Sequence, residues 1–166
     1  MFHGCTSGGL ECVRHYTEPA GKCQTAWDTG RVQSLVETSG VRDGLLTLIS
    51  PHTTARINLN EREEMLQRDM VAFLETLAPK GLDYLHNRKP LDDRPNAHAH
   101  LLGLSMNASE TIPLADGRLL LGGWQSLFFI ELDGPRPERQ VNIQIMGEPL
   151  AGQARGEVGQ GPTAVG

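Results

Sequence analysis

From Gln140 to Ile145 the chain reads Gln140-Val141-Asn142-Ile143-Gln144-Ile145, polar and apolar side chains in strict alternation. Successive side chains of a strand leave opposite faces, so this pattern specifies a strand with one wet and one dry face, as antiparallel sheets have. Upstream, Asp116-Gly117 separates Thr111-Ile112-Pro113-Leu114 from Leu119-Leu120-Leu121, and this dipeptide tolerates the positive φ angles of a tight hairpin. Leu127 to Leu132 is another strand-length run, after which Asp133-Gly134-Pro135 turns the chain.

The first half mixes both periods. Leu45-Leu46-Thr47-Leu48-Ile49, bounded by Gly44 and Pro51, reads as a buried strand, and Thr54 to Leu59 as a second. Val32, Leu35 and Val36 at helical spacing, with Gly40 as a left-handed stop, predict a short helix over about 30–39. Leu66, Met70, Phe73, Leu74 and Leu77 form one apolar stripe that Pro79 ends, predicting a long helix over about 61–78. Asn60, with Glu63 three residues on, supplies a capping box for it. Residues 80–96 read as loop. The expected fold is α+β, an antiparallel β-sandwich-like sheet with one long and one short helix.

A chain of 166 residues suits a single core. Residues 1–24 carry neither period and are expected to be a weakly ordered N-terminal segment, leaving 25–147 as the folded domain. Residues 148–166 hold five glycines and no aromatic side chain, the composition of a flexible tail. Twenty acidic against fifteen basic residues, a net charge of −5, and no basic run exclude nucleic acid and anionic membrane as partners. No apolar stretch reaches the roughly 20 residues that span a bilayer. Cys5, Cys12 and Cys23, an odd number outside any Cys-x-x-Cys pair, point to free thiols in a reducing cytoplasm.

Chemistry concentrates at a few places. His98 and His100, one residue apart in an expected strand, would leave the same face about 6.5–7 Å apart. Such a pair can chelate a divalent cation such as zinc, hold a phosphate when protonated, or simply lie at a loop-to-strand transition. His52, Thr53, Thr54, Asn60 and Glu61 fall between a buried strand and an expected helix N-terminus, where backbone donors favour an anion. There Glu61 either complements the helix dipole or serves as a general base or metal ligand near His52. His86 sits in Tyr84-Leu85-His86-Asn87, and Trp124-Gln125 follows Gly122-Gly123, where backbone can approach a ligand closely. Glu131 lies on a later strand.

Several of these blocks occur in a characteristic order: His52-Thr53-Thr54-Ala55, Asn60-Glu61, Tyr84-Leu85-His86-Asn87, Asn96-Ala97-His98-Ala99-His100, Ser109-Glu110-Thr111-Ile112-Pro113, Asp116-Gly117-Arg118-Leu119, Gly122-Gly123-Trp124-Gln125 and Glu131-Leu132-Asp133-Gly134-Pro135-Arg136. In order and spacing, over about residues 25–147, they resemble the YjbQ-like family, also called the secondary thiamine-phosphate synthase family. The resemblance implies a compact α+β fold assembled as a homotrimer, with a histidine pocket for a divalent metal ion, zinc or magnesium, or for phosphate. It further implies a weak transferase activity joining a pyrimidine pyrophosphate to a thiazole phosphate. On this chain His52, Glu61 and His86 would be catalytic; Thr53, Thr54, Asn60, Trp124, Gln125 and Glu131 would bind substrate; His52, His98 and His100 would hold metal. Leu102 stands where relatives commonly carry a lysine, so a cation suited to phosphate is missing. Two other readings stay open: a metal-dependent hydrolase or transferase of a small phosphorylated metabolite, and a non-catalytic, trimeric anion-binding module.

Overall fold

The computed structural model describes residues 10–20, 29–134 and 136–149. Its elements run β1 (Leu10–Ala20), α1 (Thr29–Ser39), β2 (Val41–Ile49), β3 (Ala55–Glu61), α2 (Glu64–Leu77), α3 (Leu85–Arg88), α4 (Ala97–Gly103), β4 (Ser109–Ala115), β5 (Arg118–Leu119), β6 (Gln125–Glu131) and β7 (Arg136–Pro149). Five strands form an antiparallel sheet in the order β1-β7-β2-β4-β5, and β3 pairs with β6 in a second, two-stranded sheet. The fold is α+β, as the alternating segments require.

The alternation of β7 is realised as read. Val141, Ile143 and Ile145 are buried, and they meet Leu46 and Leu48 of β2 and Ile112 and Leu114 of β4 in the main core. Ile57 of β3 and Leu127 and Phe129 of β6 close that core from the second sheet, and Val32 and Val36 of α1 cap it. The other face of the small sheet is covered too: Ile130 and Leu132 pack with Leu74 and Ala78 at the end of α2 and with Ala99 and Leu102 of α4. Asp116 (φ 49°) and Gly117 (φ 74°) make the two-residue hairpin between β4 and β5, and Gly40 (φ 72°) ends α1.

Four expectations are corrected. The long helix begins at Glu64, and its cap is Glu63, whose carboxylate accepts from Met65 N at 2.8 Å and Leu66 N at 2.6 Å. Asn60 and Glu61 instead finish β3, paired with Ser126 and Gln125. The apolar stripe of α2 buries only Leu74 fully, while Phe73 and Leu77 are exposed. The stretch read as loop and then strand over 85–103 forms two short helices, α3 and α4. In α4 the alternating Ala-His-Ala-His resembles a strand, yet Ala97, His98, Ala99, Leu102 and Gly103 are buried together, a helical pattern that alanine favours. Finally, Leu10–Ala20 is a full strand, from the pair Leu10↔Gly147 to the pair Ala20↔Arg136, where neither period announced one. The remaining residues of the 1–24 segment, with Cys5 and Cys23, and residues 150–166 of the expected tail lie outside the described residues. Among the described residues no helix is long and apolar enough to cross a membrane.

Strands β2 and β7 approach closely where Gly44 faces Gly147. A Cβ on Gly44 would lie 2.0 Å from the Met146 backbone oxygen, which cannot move without breaking the ladder. Gly44→Ala should therefore lower stability by about 1–3 kcal/mol. Urea denaturation of the two proteins checks this, and an unchanged midpoint would refute it.

Candidate functional site

The site is assembled at the junction where β6 leaves the small sheet for β7. Ser50 Oγ donates to Ala55 O at 2.9 Å, shaping the turn that carries His52. Arg56 braces that turn from below: its guanidinium donates to His52 O at 2.7 Å and to Gly103 O, at the C-terminal end of α4, at 3.0 Å. His52 Nε2 then accepts from the Gln140 amide at 2.9 Å. Only a neutral ring can do so, and burial together with the neighbouring Arg139 charge lowers the His52 pKa, against the opposing pull of Glu131.

Helices α3 and α4 are locked to each other by the Tyr84-Leu85-His86-Asn87 motif. Asn87 Oδ1 accepts from Ala97 N at 3.0 Å, and His86 Nε2 lies 3.0 Å from Asn96 Oδ1. Asn96 is buried, and its Nδ2 donates to Asp133 Oδ2 at 2.8 Å. Burial pulls the Asp133 carboxyl upward, but the Asn96 amide and the Arg136 and Arg139 charges outweigh it, so its pKa is lowered and it stays ionised. A carboxylate accepts only, so the amide must turn its nitrogen to Asp133 and its oxygen to His86. His86 therefore carries its proton on Nε2, and in the neutral ring Nδ1 is the basic nitrogen. The ring of His100 meets His86 edge-on, with centroids 5.2 Å apart and planes 79° apart.

The same junction holds a buried ion pair. Glu131 is 1% and Arg139 8% exposed; Arg139 Nη2 donates to Glu131 Oε1 at 2.6 Å and to Thr54 Oγ1 at 3.1 Å, and Nε reaches Oε2. The Asp133 amide adds a 2.7 Å bond to Glu131 Oε1. A continuous run thus links His86, Asn96, Asp133, Glu131, Arg139 and Thr54, and the residue after Arg139 holds His52.

Of the residues singled out from the sequence, His52, Thr54, His86, His100 and Glu131 are brought to this network. Thr53 is exposed beside it. Asn60, Glu61, Trp124 and Gln125 are elsewhere: Glu61 pairs with Gln125 at the far end of the ladder whose near end pairs Ala55 with Glu131. Six residues of strand separate the two ends, about 20 Å. Trp124 is 79% exposed there, and Gln125 Oε1 accepts from Gly122 N. No helix N-terminus is left to an anion near Asn60, because the Glu63 carboxylate already takes the free amides of α2.

His98 and His100 do not share a face. Two positions on a helix are about 200° apart, so His98 points into the protein while His100 meets His86. Among the described residues no three His, Cys, Asp or Glu side chains are placed to hold a metal ion. The set His52, His98 and His100 thus does not fit a divalent cation, and no chemical step is derived through one.

Asn96, Asp133 and Arg136 stand in the motif blocks with no site role assigned to them, and Arg139 stands in none of the blocks. Arg139 had a readable signal, since it shares the parity of Val141, Ile143 and Ile145, and a charge on a dry face requires a partner.

Burial and the Lys80 charge also lower the pKa of His98, with Asp133 opposing. A group whose folded pKa lies below its unfolded value contributes stability above the unfolded value and loses it as pH falls. For His52 and His98 the loss begins as pH drops through 6.5, and for Asp133 as it drops below 3.8. Tm should therefore fall in two stages on acidification. In His98→Asn the first stage should shrink and the second persist; a Tm flat from pH 7 to about 5 would contradict the assignment.

The YjbQ-like UPF0047 family description matches residues 18–148. A UPF0047 protein of Methanothermobacter thermautotrophicus is 40% identical over 121 residues, covering 73% of this chain and 81% of that protein. One from Archaeoglobus fulgidus is 42% identical over 113 residues, covering 68% and 84%. A YbjQ-like protein of unknown function from Sulfolobus solfataricus superposes with a TM-score of 0.78 at 32% identity, over 84% of this chain and 99% of that one. A hypothetical protein of Aeropyrum pernix follows at 0.75 and 39%, over 82% and 98%.

Proposed function

The chain belongs to the YjbQ-like UPF0047 family, and on that footing we propose that it binds a small phosphorylated metabolite beside His86 and His100, with His86 as its acid–base residue. The observation that carries this reading is the Asp133-Asn96-His86 run, which holds one imidazole in one tautomer and orientation. Orienting an imidazole through its far nitrogen is how acid–base histidines are prepared for proton transfer.

The reaction we assign is of the thiamine-phosphate synthase type. The thiazole nitrogen forms a C–N bond to the pyrimidine methylene as the C–O bond to pyrophosphate breaks, and the electron pair leaves on the pyrophosphate oxygen. His86, protonated at Nδ1, donates its proton to that oxygen while Nε2–H stays on Asn96. His100 offers a second ring N–H to the phosphate. The test is direct: the purified chain is incubated with the two phosphorylated precursors, and thiamine phosphate formation is measured. Formation that disappears in His86→Ala supports the reading, and no formation by folded protein overturns it.

The resemblance implies a lysine where this chain has Leu102, which is buried against α2; without that cation a pyrophosphate leaving group is less well stabilised, which favours a second reading as a non-catalytic binding module. Phosphate binding that saturates without product would select it. Assembly as a homotrimer belongs to the same proposal. It is supported by the apolar side chains left on the outer face of the large sheet, Leu45 at 49%, Ile49 at 43% and Met146 at 52% exposure. A cytoplasmic setting is supported by the odd number of cysteines, which lie outside any Cys-x-x-Cys spacing.

A further inference from the structure

A cavity of about 420 Å³ lies between the second half of α2, the Pro79-Lys80 corner, α4 and the end of β6. Its walls are mainly apolar, from Val71, Leu74, Ala78, Leu102 and Leu132. One imidazole lines it, that of His98, which is 5% exposed. Among the described residues neither His98 Nδ1 nor Nε2 has a hydrogen-bond partner of normal distance and angle. A buried polar group left unmatched in this way is costly, and native interiors rarely keep one without a partner. The cavity is separate from the His86–His100 pair, since His98 leaves the opposite side of α4 and neither His86 nor His100 lines it.

We propose that this cavity is a second ligand site, taking a neutral, mostly apolar ring molecule with one polar edge atom that hydrogen-bonds His98. The size is at the lower end for small-molecule pockets and suits a bicyclic ring rather than a long chain. A neutral imidazole offers one donor and one acceptor, so a ring N–H or a ring nitrogen can match it. Charge argues against an ionised ligand. The two exposed charges on the lining, Glu75 and Lys80, oppose each other, and the Glu131 carboxylate is already taken by Arg139.

Three probes of similar shape separate the possibilities on the full chain: indole carries a donor, quinoline an acceptor, and naphthalene neither. With ring nitrogens labelled with nitrogen-15, indole or quinoline should bind about tenfold more tightly than naphthalene and shift the His98 resonance. His98→Phe should abolish that preference, and Val71→Trp, which fills the cavity, should abolish binding of all three. Equal affinities in the unmodified protein, no binding up to the solubility limit, or a preference that survives His98→Phe would overturn the proposal. The comparison among probes on the unmodified protein stands even if a variant fails to fold.

Discussion

Replacing Arg139 with methionine should lower folding stability by about 3–5 kcal/mol, the usual cost of stranding one partner of a buried ion pair. Glu131 is 1% exposed, so its carboxylate cannot turn to water when the guanidinium is removed. What remains to it is the Asp133 amide at 2.7 Å, one donor for a group that now receives three. Thr54 Oγ1 also loses its partner. The double variant Glu131→Leu with Arg139→Met removes both charges and should recover most of the loss, because an apolar pair of similar volume needs no counterion. Urea denaturation of the two single variants and the double variant measures the coupling. A cost below about 1 kcal/mol for Arg139→Met would mean that Glu131 reaches solvent, contrary to its burial. Both single variants should also weaken the site, since the pair holds the start of β7 against the β3 end of the small sheet, and Gln140, next in the chain, anchors His52.

In the synthase assay, His86→Ala should reduce turnover by about 10²–10⁴-fold, the range expected for removal of a positioned acid–base residue. Asp133→Asn makes the sharper test of how His86 is held. An amide in place of the carboxylate can donate as well as accept, so Asn96 is no longer forced to turn its oxygen to His86. Its turnover should fall less than that of His86→Ala, and the pH profile should change shape, whereas a purely structural role would alter stability and leave the profile in place. Activity unchanged in His86→Ala would remove His86 from the chemistry altogether.

Much of the fold was readable because it depends on neighbours in the chain. Asp116-Gly117 meets the positive φ demand of its turn with its own two residues, and Val141, Ile143 and Ile145 fall on the dry face by spacing alone. Gly40 stopped α1, as its φ of 72° allows. Local rules also competed with one another. Asn60 and Glu63 both fit a cap for α2, and the winner is Glu63, because β3 continues through Glu61 to pair with Gln125. In the same way, Ala97-His98-Ala99-His100 satisfied a strand pattern by alternation, and was helical because Ala99 and Leu102 are buried together against α2 and Leu132.

The candidate site divides along the same line. Residue order alone supplies the candidates His52, Thr54, His86, His100 and Glu131; the parity that Arg139 shares with Val141, Ile143 and Ile145 marks it as a charge on a dry face only once its strand is known to be buried there. Which imidazoles meet depends on packing between elements remote in the chain. His86 and His100 touch because Asn87 and Asn96 lock α3 to α4, while Glu61 and Trp124 sit at the far end of the β3–β6 ladder. The physical reason is that spacing sets the direction of a side chain relative to its own backbone, whereas distances across the molecule are set by strand register and helix packing, which depend on residues remote in the chain.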